Sequence, residues 1–268
     1  VQLPGTIAVV TGAAVRLGRA IALSLADAGC DVCLHYRRSR DAADETADEI
    51  RALGVRAVTV HADLSSPRAA AETIFTAAEQ LGPVSILINS AAIFGSGTLL
   101  TTTDDDWDRH FAVNLAAPFH LCREFARQHA VGLEATRTPP ASGSAGHIIN
   151  IADWRALRPD TNHLAYTLTK SALVTLTKIL AVELAPEIQV NAVAPGAILP
   201  AIGSDPAQDG AAAAHPSRAA AFDRLAAGIP LGRTGEPHDV AGAVLYLLRS
   251  NFVTGELLHV TGGEELTR

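Results

Sequence analysis

The chain has 268 residues, 48% apolar and 18% charged, enough to bury a large core within one α/β domain. Its net charge of −7 excludes a surface that attracts nucleic acid or an anionic membrane non-specifically, so any anion site must be built from local positive charge. No run of about 18 apolar residues occurs, because Lys170 and Lys178 interrupt the most apolar helical stretch, and no membrane segment is expected.

Along the chain, Val- and Ile-rich runs alternate with stretches of helical period. Strands are expected at Ile7–Thr11, Asp31–His35, Val55–His61, Ser85–Asn89, His147–Ile151, Gln189–Ala194 and Leu257–Val260. Helices are expected at Arg16–Ala28, Arg40–Leu53, Pro67–Leu81, Asp105–Ala130, His163–Leu184 and Pro237–Leu248. Strands apolar on both faces and separated by helices predict a parallel sheet covered on both sides. That is a doubly wound, Rossmann-type α/β fold, a single domain over residues 1–268 with its ligand site at the carboxyl ends of the strands. Gly132–Gly146, rich in Gly, Pro, Ser and Thr, predicts a surface loop before the fifth strand. Pro200–Pro216 is a second irregular stretch, ending near a short Ala-rich helix at about Ser217–Ala227. A substrate loop at about 198–230 follows, either a mobile lid over the strand ends or a plain solvated insertion.

Cys30, Cys33 and Cys122 are the three cysteines, the first two spaced C-x-x-C. A redox or zinc site there needs partners that the neighbouring sequence lacks, which leaves small apolar residues around a buried strand and a reduced, cytoplasmic protein. No secretory leader is visible, and the absence of any Met, initiator included, predicts missing N-terminal residues.

Thr11 to Gly18 (TGAAVRLG) joins the first strand to the first helix. Gly12 and Gly18 at such a turn let the backbone approach a pyrophosphate, with Leu17 beside them and amides supplied by the helix start. Arg16 stands where such loops usually carry glycine, and reads as a phosphate or substrate contact or as a surface arginine. The second strand ends in His35-Tyr36-Arg37-Arg38-Ser39, with no carboxylate before Asp41. An acidic residue there would take ribose hydroxyls; arginines and a serine suit a ribose 2′-phosphate instead, so NADPH is the expected cofactor. Asp63, followed by Leu64, can meet the adenine amino group, and Asn89-Ser90-Ala91 offers small residues for close backbone approach; both also fit plain strand-end turns.

Tyr166 and Lys170 are four residues apart on one helix face. An ammonium beside a phenol favours the phenolate, which predicts a lowered tyrosine pKa and a proton donor near neutral pH. Asn114, inside the long helix, would bend it and hold a water that reaches Lys170. Asp153 lies thirteen residues before Tyr166, where a ketone reductase wants a neutral hydroxyl. A carboxylate ~4 Å from a developing oxyanion opposes it by about 4 kcal/mol at an effective dielectric near 20. The substrate should therefore present hydrogen-bond donors or need protonation on nitrogen. Trp154 reads equally as pocket lining and as packing.

Together T-G-x-x-x-x-x-G, Asn89-x-Ala91, Asn114, Tyr166-x-x-x-Lys170 and Pro195-Gly196 resemble the short-chain dehydrogenase/reductase family over essentially the whole chain. Members usually have Gly at Arg16, Asn at Ser90 and Ser at Asp153. All three departures coincide with the pteridine reductase branch, which this chain also resembles in Val32–Ser39, in Phe94 and in Thr261-Gly262-Gly263 followed by Leu266-Thr267-Arg268. The resemblance implies NADPH-dependent hydride transfer to a ring C=N bond of a pterin or folate, protonation through Tyr166 and Asp153, and stacking on Phe94. It places Arg16 near the pterin carbonyl or a cofactor phosphate, and implies a homotetramer. The alternatives are a ketone, quinone or 3-oxoacyl reductase of the same fold, and a sensor that binds NADPH without turnover.

Overall fold

The computed structural model describes residues 2–129, 145–198 and 225–267. In chain order the elements are β1 (Ile7–Val10), α1 (Arg16–Asp27), β2 (Asp31–Tyr36), α2 (Arg40–Ala52), β3 (Ala57–His61), α3 (Pro67–Ala78), β4 (Ile86–Asn89), α4 (Asp104–Phe111), α5 (Ala117–Gln128), β5 (Gly146–Ile151), α6 (Leu164–Glu183), β6 (Ile188–Pro195), α7 (Pro237–Arg249) and β7 (Leu257–Val260). Seven strands form one sheet in the order β3-β2-β1-β4-β5-β6-β7, every pair parallel. This is the expected doubly wound architecture. Most of loop Gly132–Gly146, all of Pro200–Pro216 and the helix at Ser217–Ala227 except its last three residues lie outside the described residues. Residues 225–227 are helical.

The strands are mostly hydrophobic because alternate side chains enter two separate cores. Ala8 and Val10 of β1, with Ile86 and Ile88 of β4, pack with Ile21, Leu25 and Val244 from α1 and α7. Ile7, Val9 and Leu87 pack on the other face with Ile74, Leu121 and Phe125 from α3 and α5. Each fully buried Ile or Leu contributes about 1.5–3 kcal/mol, so the two cores hold the strand ends in fixed relative positions. Cys30 and Cys33 fall in different cores, buried as thiols, and burial pushes Cys33 up to about 12. The C-x-x-C spacing thus brings no dithiol pair together.

One element departs from expectation. The helix read as continuous over Asp105–Ala130 breaks into α4 and α5 around a π-helical turn at Ala112–Ala116. Pro118 has no N–H to give the carbonyl of Asn114 four residues earlier, so the ladder must widen there. Asn114 sits in the middle of that widened turn. Among the described residues no helix is long and apolar enough to cross a membrane.

Candidate active site

The ends of β1, β4 and β5 converge on one edge of the sheet, and the turns that leave them are tied to each other. Gly12 has φ +66°, and a Cβ there would lie 3.0 Å from the Cα of Ala91. A Cβ on Gly18 would collide with the carbonyl of Gly12, so the first helix can start this close only without a side chain. Thr11 Oγ1 accepts hydrogen bonds from the amides of Ser90 and Ala91, each at 3.0 Å, clamping the β4 exit onto the turn. A strand-end threonine directly before Gly12 was the signal for that role. Arg16 is exposed and has φ +53°, the single non-glycine residue in the left-handed region among those described. An L-residue there costs about 1–2 kcal/mol, which explains why relatives of this loop favour glycine.

His35 is buried, and its ring joins the turn to the end of β3. The amide of Gly12 donates to Nδ1 at 3.2 Å, and Nε2 donates to the carbonyl of Ala62 at 3.1 Å. The side chain thus supports the turn from behind. Burial pushes its pKa down to about 4, and does the same to His147 in β5. The unfolded chain takes up protons near the ordinary value of 6.5 that the folded chain refuses until about 4, so stability present at neutral pH is lost as pH falls through that window. Each imidazole should contribute about 3 kcal/mol to that loss. Urea midpoints measured between neutral pH and about pH 4 should fall, and less steeply in His35→Gln; equal slopes would refute the assignment.

Beyond His35, Tyr36 is buried with its ring 5.6 Å from that of His61. Arg37 donates to Asp63 Oδ2 from Nε at 3.1 Å, and its Nη2 lies 3.0 Å from the same oxygen as an ion pair. Asp63 also accepts from the amide and hydroxyl of Ser65, and these bonds, the amide's first, hold its carboxyl below the usual range together with Arg37. The residues read separately as phosphate and adenine contacts are thus joined. Arg38 is exposed, and Ser39 precedes the first turn of α2. Cations and a helix start in one place fit a phosphate monoester. Leu64 packs its side chain into the core, leaving only its backbone toward the edge.

At the β4 exit, Asn89 turns inward. Its Nδ2 donates to Oδ1 of its sheet neighbour Asn150 at 2.8 Å, and Asn150 Nδ2 donates to Thr177 Oγ1 at 2.9 Å, fastening α6 to the sheet. Asn150 and Thr177 carry no motif and were missed in the sequence. Asn114 was expected to hold a water reaching Lys170. Its amide pairs with both main-chain groups of Ile93, Oδ1 accepting at 2.9 Å and Nδ2 donating at 3.0 Å, and so fixes the segment that carries Phe94.

Asp153 follows β5 and accepts from Tyr166 Oη at 2.8 Å through Oδ2. Lys170 Nζ donates to the carbonyl of Ile151 at 2.6 Å and lies 5.8 Å from the centre of the Tyr166 ring. The expected depression of the tyrosine pKa is overturned. Burial, followed by the charge and hydrogen bond of Asp153, pushes Tyr166 well above its ordinary value, so the shared proton belongs to the phenol. Burial pushes Lys170 down to about 8, against the pull of Asp153. Phe94 is 60% exposed, stacks on His163 at 4.6 Å, has the Arg155 guanidinium carbon over its ring at 5.9 Å and meets Tyr166 edge-on at 4.7 Å, so much of the ring stays exposed beside the acid pair. Trp154 is buried, which decides for packing. At the β6 exit Gly196 follows Pro195; a Cβ there would lie 2.8 Å from Glu264 Oε2, the atom that accepts from the Ala197 amide at 2.8 Å. Glu264, not anticipated from the sequence, anchors the start of the expected substrate loop.

A family model described as enoyl-(acyl carrier protein) reductase matches residues 12–265. The chain belongs to the short-chain dehydrogenase/reductase family. A short-chain type dehydrogenase/reductase from Picea abies is 34% identical, covering 98% of this chain and 93% of its own. A 3-oxoacyl-[acyl-carrier-protein] reductase from Staphylococcus epidermidis is 31% identical over 96% of this chain and 97% of its own. Among solved structures, FolM alternative dihydrofolate reductase 1 from Brucella canis, complexed with NADP, superposes with a TM-score of 0.83 at 30% identity, covering 100% of this chain and 97% of that one. Within this short-chain dehydrogenase/reductase, Asp153 is bonded directly to the tyrosine.

Proposed function

We propose that this protein is an NADPH-dependent reductase of a pterin, dihydropterin or dihydrofolate ring. The observation that carries the reading is the 2.8 Å bond from Tyr166 to Asp153 beside the exposed ring of Phe94. Gly12, Gly18 and the helix start receive the pyrophosphate, with Arg16 and Leu17 beside it. Arg37, Arg38 and Ser39 hold the 2′-phosphate, and Lys170 the nicotinamide ribose. So bound, NADPH supplies the hydride.

A flat aminopyrimidine ring stacks on Phe94 and offers N–H donors to the carboxyl oxygens of Asp153. When hydride reaches a carbon of a C=N bond, the adjoining nitrogen needs a proton, and Tyr166 Oη carries one at the site. Asp153, already hydrogen-bonded to that phenol, relays a proton taken from solvent water to restore it. For a ketone the same carboxylate would face the growing oxyanion with the wrong charge. The likeness to FolM alternative dihydrofolate reductase supports the pterin reading; the likeness to 3-oxoacyl reductases supports the carbonyl alternative. The exposed side chains of Phe119, Ile179 and Val182 on α5 and α6 support the expected homotetramer.

NADPH oxidation should proceed rapidly with dihydrobiopterin or dihydrofolate and hardly at all with simple ketones or acetoacetyl thioesters, with NADH a poor substitute. Ketone turnover without pterin turnover would replace this reading by the carbonyl one.

A further inference from the structure

Six side chains form a closed circuit around the exposed ring of Phe94, and one of them, Arg155, has no part in the chemistry above. Asp153 uses its two oxygens differently. Oδ2 accepts from Tyr166 at 2.8 Å, whereas Oδ1 accepts from the Arg155 amide at 2.8 Å and lies 3.4 Å from Arg155 Nη1. The same guanidinium reaches the other way, Nε donating to Asp160 Oδ2 at 3.2 Å. Asp160 in turn holds His163, whose Nδ1 lies 3.0 Å from both carboxylate oxygens. His163 stacks on Phe94, and Phe94 packs on Tyr166, which closes the circuit. The plane of the guanidinium is held over the Trp154 ring at 5.0 Å.

We propose that Arg155 is the positioning residue of this site: it fixes the Asp153 carboxylate toward Tyr166 and, through Asp160 and His163, sets the distance from that pair to the stacking platform. The proposal rests on the reading of Tyr166 and Asp153 as the proton-delivering pair.

The physical case is one of torsion and charge. The terminal torsion of an aspartate is broad and roughly two-fold, so a carboxylate held only by Tyr166 and the Arg155 amide keeps part of that freedom. A planar fork that engages two carboxylates from fixed directions removes that freedom, and a lysine cannot reproduce it. The ion pair is largely shielded, the side chains of Arg155 and Asp153 being 25% and 15% exposed, so it escapes most of the screening that makes surface pairs weak. The titratable and charged groups facing Asp153 are Arg155 on its own turn and Tyr166 and Lys170 on α6, with Asp160 and His163 behind Arg155.

The test compares pH profiles of kcat and KM for wild type, Arg155→Ala, Arg155→Lys and Asp160→Asn, with NADPH affinity measured separately as a control on folding. Arg155→Ala should lower kcat by about ten- to a hundredfold, the scale of a misplaced reacting group. Its profile should also shift, the limb governed by the Tyr166–Asp153 pair moving to higher pH, because negative charge is harder to hold once the cation is gone. Arg155→Lys should restore the limb and only part of kcat. Asp160→Asn should raise KM with the limb in place. A wild-type profile and kcat in Arg155→Ala would overturn the proposal, even with a lowered Tm. Should Arg155→Ala not fold, wild-type kcat in Arg155→Lys would overturn it equally. If wild type reduces no pterin, the pterin reading fails, and the same comparison on whichever carbonyl substrate it does reduce still decides for or against Arg155.

Discussion

Replacing Asp153 with serine is expected to lower kcat for dihydropterin reduction by about 10²- to 10⁴-fold, the range that a positioned proton-transfer group contributes. NADPH affinity should not change, because no phosphate- or ribose-facing residue touches Asp153. The fold should survive as well. Asp153 accepts from the Arg155 amide to start the short helical turn Trp154–Ala156, and serine fills that capping role nearly as well. What serine cannot do is hold negative charge next to the Tyr166 phenol or accept two N–H donors from an aminopyrimidine edge. The substitution should also open the site to carbonyls, since the opposing term of about 4 kcal/mol at ~4 Å disappears. The measurement is a pair of kcat/KM values, one for a dihydropterin and one for a simple ketone, on both proteins. Undiminished pterin turnover in the serine variant would remove Asp153 from the acid pair. A loss on pterin with no gain on ketones would leave the acid role standing and refute the electrostatic account of selectivity.

Why the sheet was legible is a matter of burial. Ile7–Val10 and Ile86–Ile88 are apolar at every position because both faces of the sheet are covered there, and runs of that kind recur at helix-separated intervals. Tyr166, Lys170 and Asp153 were legible because their spacing survives folding: four residues on one helix, and a strand end that feeds the turn in front of it. Contacts across the chain were not. Arg37 and Asp63 read as two separate ligand contacts until the β2–β3 pairing put them 3.0 Å apart. His35 looked like one more residue of the phosphate stretch, whereas the partners that define it, Gly12 and Ala62, come from two other strand ends. The direction of the tyrosine pKa was misread for the same reason. Sequence spacing displayed the lysine four residues on, but the carboxylate thirteen residues back makes the direct bond and dominates with burial. The bend expected at Asn114 is present, but as a π-helical turn that splits the helix in two, and its cause, Pro118, went unread because apolar residues keep the helical period straight through it.

Lys170→Met should abolish turnover without weakening the protein. Lys170 is 3% exposed, and burial holds its pKa at about 8 against an ordinary 10.5. Between those two values the unfolded chain binds a proton that the folded chain does not, so stability rises with pH across that window and is lowest below it. The deficit at neutral pH is about 3 kcal/mol. Methionine is close in length and apolar, which removes the deficit. Against this stands the carbonyl of Ile151, which loses its 2.6 Å donor, a cost of about 1–3 kcal/mol if nothing replaces it. The two nearly cancel, so the Tm at neutral pH should hold or rise. Above neutrality the two proteins should separate, because wild type gains stability as pH rises from about 8 toward 10.5 and the variant does not. Catalysis has no such compensation. Lys170 holds its ammonium 5.8 Å from the centre of the Tyr166 ring, and it is the residue read as the ribose contact, so its loss should lower kcat by about 10²- to 10⁴-fold. A lysine retained at the cost of stability is the pattern of a functional group rather than a structural one. A clear drop in Tm at neutral pH, or parallel pH-stability curves for the two proteins, would show that Lys170 is instead a structural cation, charged and well paired where it lies.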